Sequence, residues 1–387
     1  MIPYSRQSID EEDIQAVIDV LRSDFLTQGT VVSDFENELC RYTGARHAVA
    51  SSSGTTALHL AMLALEVGFG DIVWTTTISF VATANAALYC GASIDFVDID
   101  ISSFNISITS LEQKLEEADR QGVLPKVLIV VHMGGNPVAL EEISVLSQKY
   151  KIAVVEDACH ALGASYQGNK VGMCQYSDIT VFSFHPVKSI TCGEGGALLT
   201  NSDFIAKKAR LMANSGITKD RSLFENNAYG DWYYEQQALG YNYRMSDIHA
   251  ALGLSQMLKL DSFIAKRKQW AQWYQFQCEA LPITFQKVEN GSESAWHLLI
   301  ILVDESVSRD CLGLYNYMLD NGIKVQKHYI PIYKHPIYSG FPIQKEEFYV
   351  SEDYYERTIS IPVFPSLKLE QAEKVVESLK EYFVKPM

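Results

Sequence analysis

Apolar residues fall into two rhythms along this chain. In the first two-thirds, short runs suited to buried strands stand at "HAVAS" (47–51), "IVWTTT" (72–77), "SIDFVDI" (93–99), "VLIVV" (127–131), "IAVVE" (152–156), "ITVFSF" (179–184) and "ALLT" (197–200). Between most of them the spacing turns helical, as in "TTALHLAMLAL" from Thr55 and "VALEEISVLSQKY" from Val138. A first helix is predicted after Ser8, which forms a capping-box pattern with Glu11 and precedes Ile14, Val17, Ile18 and Leu21 on one face. Strand and helix in alternation predict an α/β fold with a mostly parallel sheet covered on both faces. Past about Ser255 the rhythm changes to a long amphipathic segment, "MLKLDSFIAKRKQWAQWYQFQCEAL", and later the strand-like "HLLIILV". The expected division is a large domain over residues 1–255, including an N-terminal arm, and a smaller α+β domain over 256–387.

Composition narrows the class. A chain of 387 residues, 47% hydrophobic and 20% charged, has ample material for a globular core. Its 47 acidic against 32 basic residues, a net charge of −15, argue against nucleic acid and anionic membrane as partners. Any anionic ligand must then be held by local groups. The seven cysteines are odd in number and contain no C-x-x-C pair, the pattern of reduced thiols in a cytoplasmic protein. The start "MIPYSRQSIDEED" has no export pattern, and no run approaches about 18 apolar residues, so a soluble cytoplasmic protein is expected.

Ligands of open α/β sheets gather at the carboxyl ends of the strands, which directs attention to the residues just beyond each run. After the first stands "SSSGTTALHL", either a simple helix cap or an anion pocket of N–H and hydroxyl groups. After "IAVVE" stands Asp157, a carboxylate that needs a partner at a buried strand end. After "ITVFSF" comes Lys188, which either reaches solvent along its stem or is desolvated into a nucleophilic amine. Taken together, the three supply what pyridoxal phosphate requires: an amine for the aldehyde, a carboxylate for the ring nitrogen and a pocket for the phosphate.

The motifs "SSGTTAL", "TTTISFVATANAAL", "VVEDACHALGASYQGNKVG", "SFHPVKSITCGEGGALLTN" and "GYNYRMSDIHAALGLSQ" resemble the DegT/DnrJ/EryC1/StrS family of sugar aminotransferases, from about "LTQG" at 26–29 to "ISIP" at 359–362. The resemblance implies the fold-type-I, aspartate aminotransferase-like architecture and pyridoxal 5'-phosphate as cofactor. By it, Lys188 would hold the cofactor covalently and then move the substrate proton, Asp157 would keep the pyridine nitrogen protonated, and His160 would lie near the ring. Gly54, Thr55 and Ser183 would bind the phosphate and Phe80 would stack on the ring. Asn242 would reach the cofactor of a neighbouring subunit, which implies a homodimer with active sites at the interface. Arg244 is open between a carboxylate contact and a structural ion pair. Cys192 is read as a buried thiol, and "GGNPVALEEI" as a turn and helix start without chemistry.

Within the family, "SDFLTQG", "KVQKHYIPIYKHPIY" and "EDYYERTISIP" are most similar to the branch that moves an amino group from L-glutamate to C4 of a UDP-linked 4-keto-6-deoxy sugar. That substrate is UDP-2-acetamido-2,6-dideoxy-β-L-arabino-hex-4-ulose, in pseudaminic acid biosynthesis. The similarity implies sugar-nucleotide contacts from Tyr4, Asp24, Phe25, Leu26, Thr27, Lys327, His328, Tyr329 and Ile330, with His328 and Lys327 as diphosphate partners. Two alternatives stay open: a GDP- or dTDP-linked keto sugar as substrate, and a non-catalytic regulatory protein that binds the cofactor.

Overall fold

The computed structural model describes residues 1–226, 230–307, 310–341 and 347–384. A seven-stranded sheet forms its centre, in the order His47–Ser51, Gly196–Thr200, Ile179–Ser183, Ala153–Asp157, Val127–Val131, Ile72–Thr76, Ser93–Val97. Only Gly196–Thr200 runs antiparallel to its neighbours. The others are parallel, and helices such as Gly54–Ala64 and Leu140–Tyr150 cover the faces. Val127–Val131 is buried at every residue, which is why its sequence is apolar without alternation. Each predicted run is therefore a strand of this sheet, with ends shifted by a residue or two.

A second core gathers around the three-stranded antiparallel sheet Ile283–Phe285, Leu299–Val303 and Thr358–Ile361. Helices Leu260–Gln277, Cys311–Asp320 and Leu369–Val384 pack with it. The N-terminal arm crosses between the two cores. Ile2 pairs with Gly322 and Lys324 by backbone bonds of 2.8 Å, the Tyr4 carbonyl accepts from the Val363 N–H at 3.2 Å, and the Ser5 hydroxyl donates to the Val187 carbonyl at 3.2 Å.

Two local expectations are corrected. The first helix is Glu11–Leu21, and its cap is Asp10 with Asp13, not Ser8 with Glu11. Its predicted apolar face turns inward only in part: Val17 and Ile18 are half-buried and Ile14 and Leu21 exposed, while Asp13 and Val20 are buried. The cause is tertiary. The Asp13 carboxylate accepts from Ser255 Oγ at 2.6 Å, Gln256 Nε2 at 2.7 Å and the Asp10 N–H at 3.1 Å, and pairs with Lys259 Nζ at 3.0 Å. The long segment from Met257 also divides, because Asp247–Met257 ends there and a new helix spans Leu260–Gln277.

Removing the Asp13 carboxylate leaves Lys259 with Asp10 and the more distant Glu12, Ser255 without its acceptor, and Gln256 with the Ser8 carbonyl. Asp13→Ala is expected to lower the unfolding free energy by about 3 kcal/mol, the low end of the cost of breaking a buried charge pair. Urea unfolding of the two proteins measures it, and an unchanged midpoint would show that the network adds nothing.

Candidate active site

The carboxyl ends of the parallel strands open into a cavity of about 790 Å³, which is also lined by Tyr4 of the N-terminal arm and by Gln326–Tyr329. Asp157 ends its strand with only 6% of its surface exposed. Thr83 Oγ1 donates to its Oδ2 at 2.7 Å and the Cys159 N–H to its Oδ1 at 3.2 Å. Thr83 in turn shares a hydroxyl contact of 2.7 Å with Ser79. One residue away, Phe80 lines the cavity with 55% of its surface exposed, its ring centroid 6.0 Å from that of Tyr329. Such exposure removes Phe80 from the core and leaves a flat apolar face toward the cavity.

Lys188 follows the strand Ile179–Ser183, in a turn closed by its N–H to the His185 carbonyl at 2.9 Å. Burial pushes its pKa below the usual lysine value, and the neighbouring Cys159 and Asp157 only partly offset that. The Cys159 thiol is pushed well up by burial first and by Asp157 second, so it is not a thiolate.

Across the first strand, the helix Gly54–Ala64 points its N-terminus at the same space. Ser53 caps it by accepting from the Thr56 N–H at 3.1 Å, while the N–H groups of Gly54 and Thr55 have no acceptor inside the helix. A side chain at Gly54 would put its Cβ 2.8 Å from Ser183 Cβ and 3.2 Å from Cys159 Sγ. The glycine thus lets the helix start lie directly on the strand end beside the Ser183 hydroxyl.

On the opposite wall, His160 Nε2 lies 3.1 Å from the Tyr329 hydroxyl, and its Nδ1 is buried without a partner among the described residues. Burial, with Lys188 next, holds His160 well below the ordinary histidine range. His328 is likewise pushed down, to about 3, and its Nδ1 meets Ser360 Oγ at 2.8 Å. It therefore faces the cavity as a neutral donor or acceptor. Lys327 lines the cavity too, yet its ammonium donates to the Tyr355 and Glu356 carbonyls at the end of the helix Tyr349–Arg357.

The remaining expected residues lie outside this cavity. Asp24, Phe25, Leu26 and Thr27 are exposed, on a loop whose following turn is tied to Asp247 by the Gly29 N–H at 2.6 Å. Ile330 is 42% exposed and Asn242 is exposed, bridged to Asn214 through the backbone. Arg244 donates from Nη1 to Asn214 Oδ1 at 2.9 Å. Cys192 is buried in the core, as read. Sequence reasoning missed Thr83, Ser79, Glu194 and His297. Thr83 and Ser79 sit inside a motif already singled out, but nothing local signals that their hydroxyls serve a carboxylate 74 residues away.

An amine, a buried carboxylate, a helix N-terminus with adjacent hydroxyls and an exposed aromatic face are the donor set that pyridoxal phosphate needs, and they converge on one cavity of suitable size. The residues fit the group.

Comparison with known proteins agrees. The model of the DegT/DnrJ/EryC1/StrS aminotransferase family matches residues 7–380. The chain is 38% identical over 381 residues to the UDP-4-amino-4,6-dideoxy-N-acetyl-beta-L-altrosamine transaminase of Campylobacter jejuni serotype O:2, covering 98% of this chain and 96% of the relative. Among solved structures, Helicobacter pylori PseC, an aminotransferase involved in the biosynthesis of pseudoaminic acid, superposes with a TM-score of 0.88 at 32% identity, over 99% of each chain. The PLP-form of Spr1654 from Streptococcus pneumoniae gives 0.89 at 26% identity, over 99% of this chain and 100% of that one. A cavity built for pyridoxal phosphate and a match along nearly the whole sequence lead to one conclusion: this chain belongs to the DegT/DnrJ/EryC1/StrS aminotransferase family.

Proposed function

We propose that the protein transfers the amino group of L-glutamate to C4 of UDP-2-acetamido-2,6-dideoxy-β-L-arabino-hex-4-ulose, a step of pseudaminic acid biosynthesis. The observation that carries the sugar assignment is the 38% identity, over nearly the full length, to a transaminase of that name. The cavity supports the chemistry: Lys188 and Asp157 share it with a helix N-terminus, and Tyr4, His328 and Tyr329 line it too.

When bound, pyridoxal phosphate supplies the electron sink that acidifies the C–H bond beside the transferred amine. In our reading, Lys188 would be the base that moves the proton between the substrate carbon and the cofactor carbon, on either side of the transferred nitrogen, in both halves of the reaction. Asp157, oriented by Thr83, would hold the proton on the ring nitrogen. The N–H groups of Gly54 and Thr55, with the hydroxyls of Thr55 and Ser183, hold the phosphate. Phe80 covers one face of the ring, with His160 nearby.

Asp24–Thr27 and Asn242 are exposed and lie outside this chain's own cavity, which supports a homodimer in which they serve the partner's site. We further assign the large and small domains to residues 1–255 and 256–387 and place the protein in the cytoplasm. Among the described residues, no helix is long and apolar enough to cross a membrane.

Three outcomes test this. First, the purified protein loaded with pyridoxal phosphate should show a visible band that L-glutamate bleaches and the UDP-linked 4-keto sugar restores. Lys188→Ala should cut turnover by a factor on the order of 10³, the scale of a positioned proton-transfer group. A band indifferent to glutamate would sink the enzyme reading, and restoration only by a GDP- or dTDP-linked sugar would reassign the substrate. Second, because burial depresses the Lys188 pKa, protonation at falling pH removes the free amine. The rate of cofactor uptake by cofactor-free protein should rise with pH, with a midpoint below the ordinary lysine value. Third, the Lys188→Ala and Asn242→Ala variants, each weak alone, should recover activity when unfolded and refolded together, since one site of the mixed dimer is intact. No recovery would argue that Asn242 acts within its own chain.

A further inference from the structure

Behind the cavity wall lies an imidazole that the proposed chemistry does not use. His297 is 2% exposed, and its ring centroid is 4.5 Å from that of His160, tilted by 45°. The Nδ1 atoms of both rings are buried without a partner among the described residues. Unsatisfied buried nitrogens are costly, so the pair persists only because its surroundings hold it.

Those surroundings clamp it from two sides. On the sheet side is the Gly134–Gly135 turn, where both glycines have positive φ. A Cβ at Gly135 would stand 2.7 Å from the His160 carbonyl oxygen and 3.1 Å from the Trp296 nitrogen. The turn also accepts from the Ala295 N–H at 2.9 Å and the Leu298 N–H at 3.1 Å, and so grips both ends of the His297 segment. On the other side, Arg267 is 1% exposed and directs its guanidinium to main-chain carbonyls: Val363 at 2.9 Å, His297 at 3.3 Å and Trp296 at 3.5 Å. A buried arginine spent on carbonyls rather than a carboxylate fixes the backbone from which His297 projects.

We propose that His297 is a positioning residue of the active site: its imidazole, packed on His160, fixes the ring and the tautomer through which His160 holds the Tyr329 hydroxyl at the cavity. The proposal rests on the reading of His160 as a neighbour of the cofactor ring. A proton on Nδ1 of His160 would be a buried donor without an acceptor, whereas a proton on Nε2 donates to the Tyr329 oxygen. The pair therefore selects the Nε2–H form and leaves the Tyr329 hydroxyl proton free to point into the cavity. The charged or titratable neighbours of the two rings are Lys188, His132, His328 and Arg267, with Tyr329 in hydrogen-bond contact. No carboxylate bonds to either ring among the described residues, so nothing stabilises an imidazolium there.

The test is His297→Phe, which keeps a flat ring of similar size and removes the nitrogens, with His297→Gln beside it should the phenylalanine variant fold poorly. Ring 15N shifts of His160, read by NMR on the protein as purified, do not depend on turnover. They should report one neutral Nε2–H form across pH 5 to 8 in the parent, and a mixed or titrating ring in the variant. On the cofactor-loaded enzyme, the variant should lose roughly tenfold in kcat for the glutamate half-reaction with KM little changed, the scale of a small misplacement. In a His160→Gln background the same substitution should add no further loss. Identical His160 shifts in parent and variant, or a loss that adds fully to that of His160→Gln, would overturn the proposal. A parent whose band ignores glutamate would instead refute the proposed function, while the NMR comparison still decides the positioning claim.

Discussion

A carboxylate at the end of a buried strand is an ion that water barely reaches, and around Asp157 the structure is arranged to make that tolerable. The Thr83 hydroxyl and the Cys159 N–H satisfy its two oxygens. Because Thr83 opens the helix Ala82–Tyr89 and is joined to Ser79, the same contact sets the loop from which Phe80 projects. The strand order then brings Lys188 to the same end, one strand over. One buried negative charge therefore determines where the aromatic face stands and gives the amine an electrostatic partner.

The other half of the cavity comes from distant chain. Tyr4 arrives on the N-terminal arm, and Gln326–Tyr329 arrive from the segment beside the small sheet, where the Gln326 backbone pairs with Ser360. Burial holds two of these residues neutral, in contrast to the Asp157 carboxylate at the end of its strand. His328 stays uncharged and Tyr329 keeps its proton, because burial pushes its hydroxyl well above the usual tyrosine value. The sheet thus supplies charge, and the later segment supplies oriented hydrogen bonds and flat surfaces.

The strands were legible because burial on both faces erases alternation and leaves runs such as Val127–Val131. The positions of Lys188 and Asp157 were legible because strand ends are where an open sheet binds ligands. Less legible were features decided by contacts far apart in sequence. The first helix carries Ser8, Asp10 and Glu11 within four residues, all plausible partners in a cap. The choice was made by Asp13 reaching Ser255 and Gln256, which no local pattern records. Similarly, the helix from Leu260 seemed to begin at Met257 because apolar spacing continues across the break. Nothing in the sequence around Thr83 or His297 marks a partner, and only the fold sets them beside Asp157 and His160. The exposure of Asn242 and of Asp24–Thr27 had no signature in the local sequence.

Phe80 carries a consequence for the protein's life in the cell. More than half of the residue's surface is exposed, and it lines the cavity. A ligand that covers such a face binds the folded form and not the unfolded one, so it shifts the folding balance by mass action. At a free concentration a hundredfold above its dissociation constant, the shift is about 2.7 kcal/mol. Cofactor supply then sets more than the rate of catalysis. It sets how often the chain opens to proteases, and so how many copies survive when the cofactor runs short.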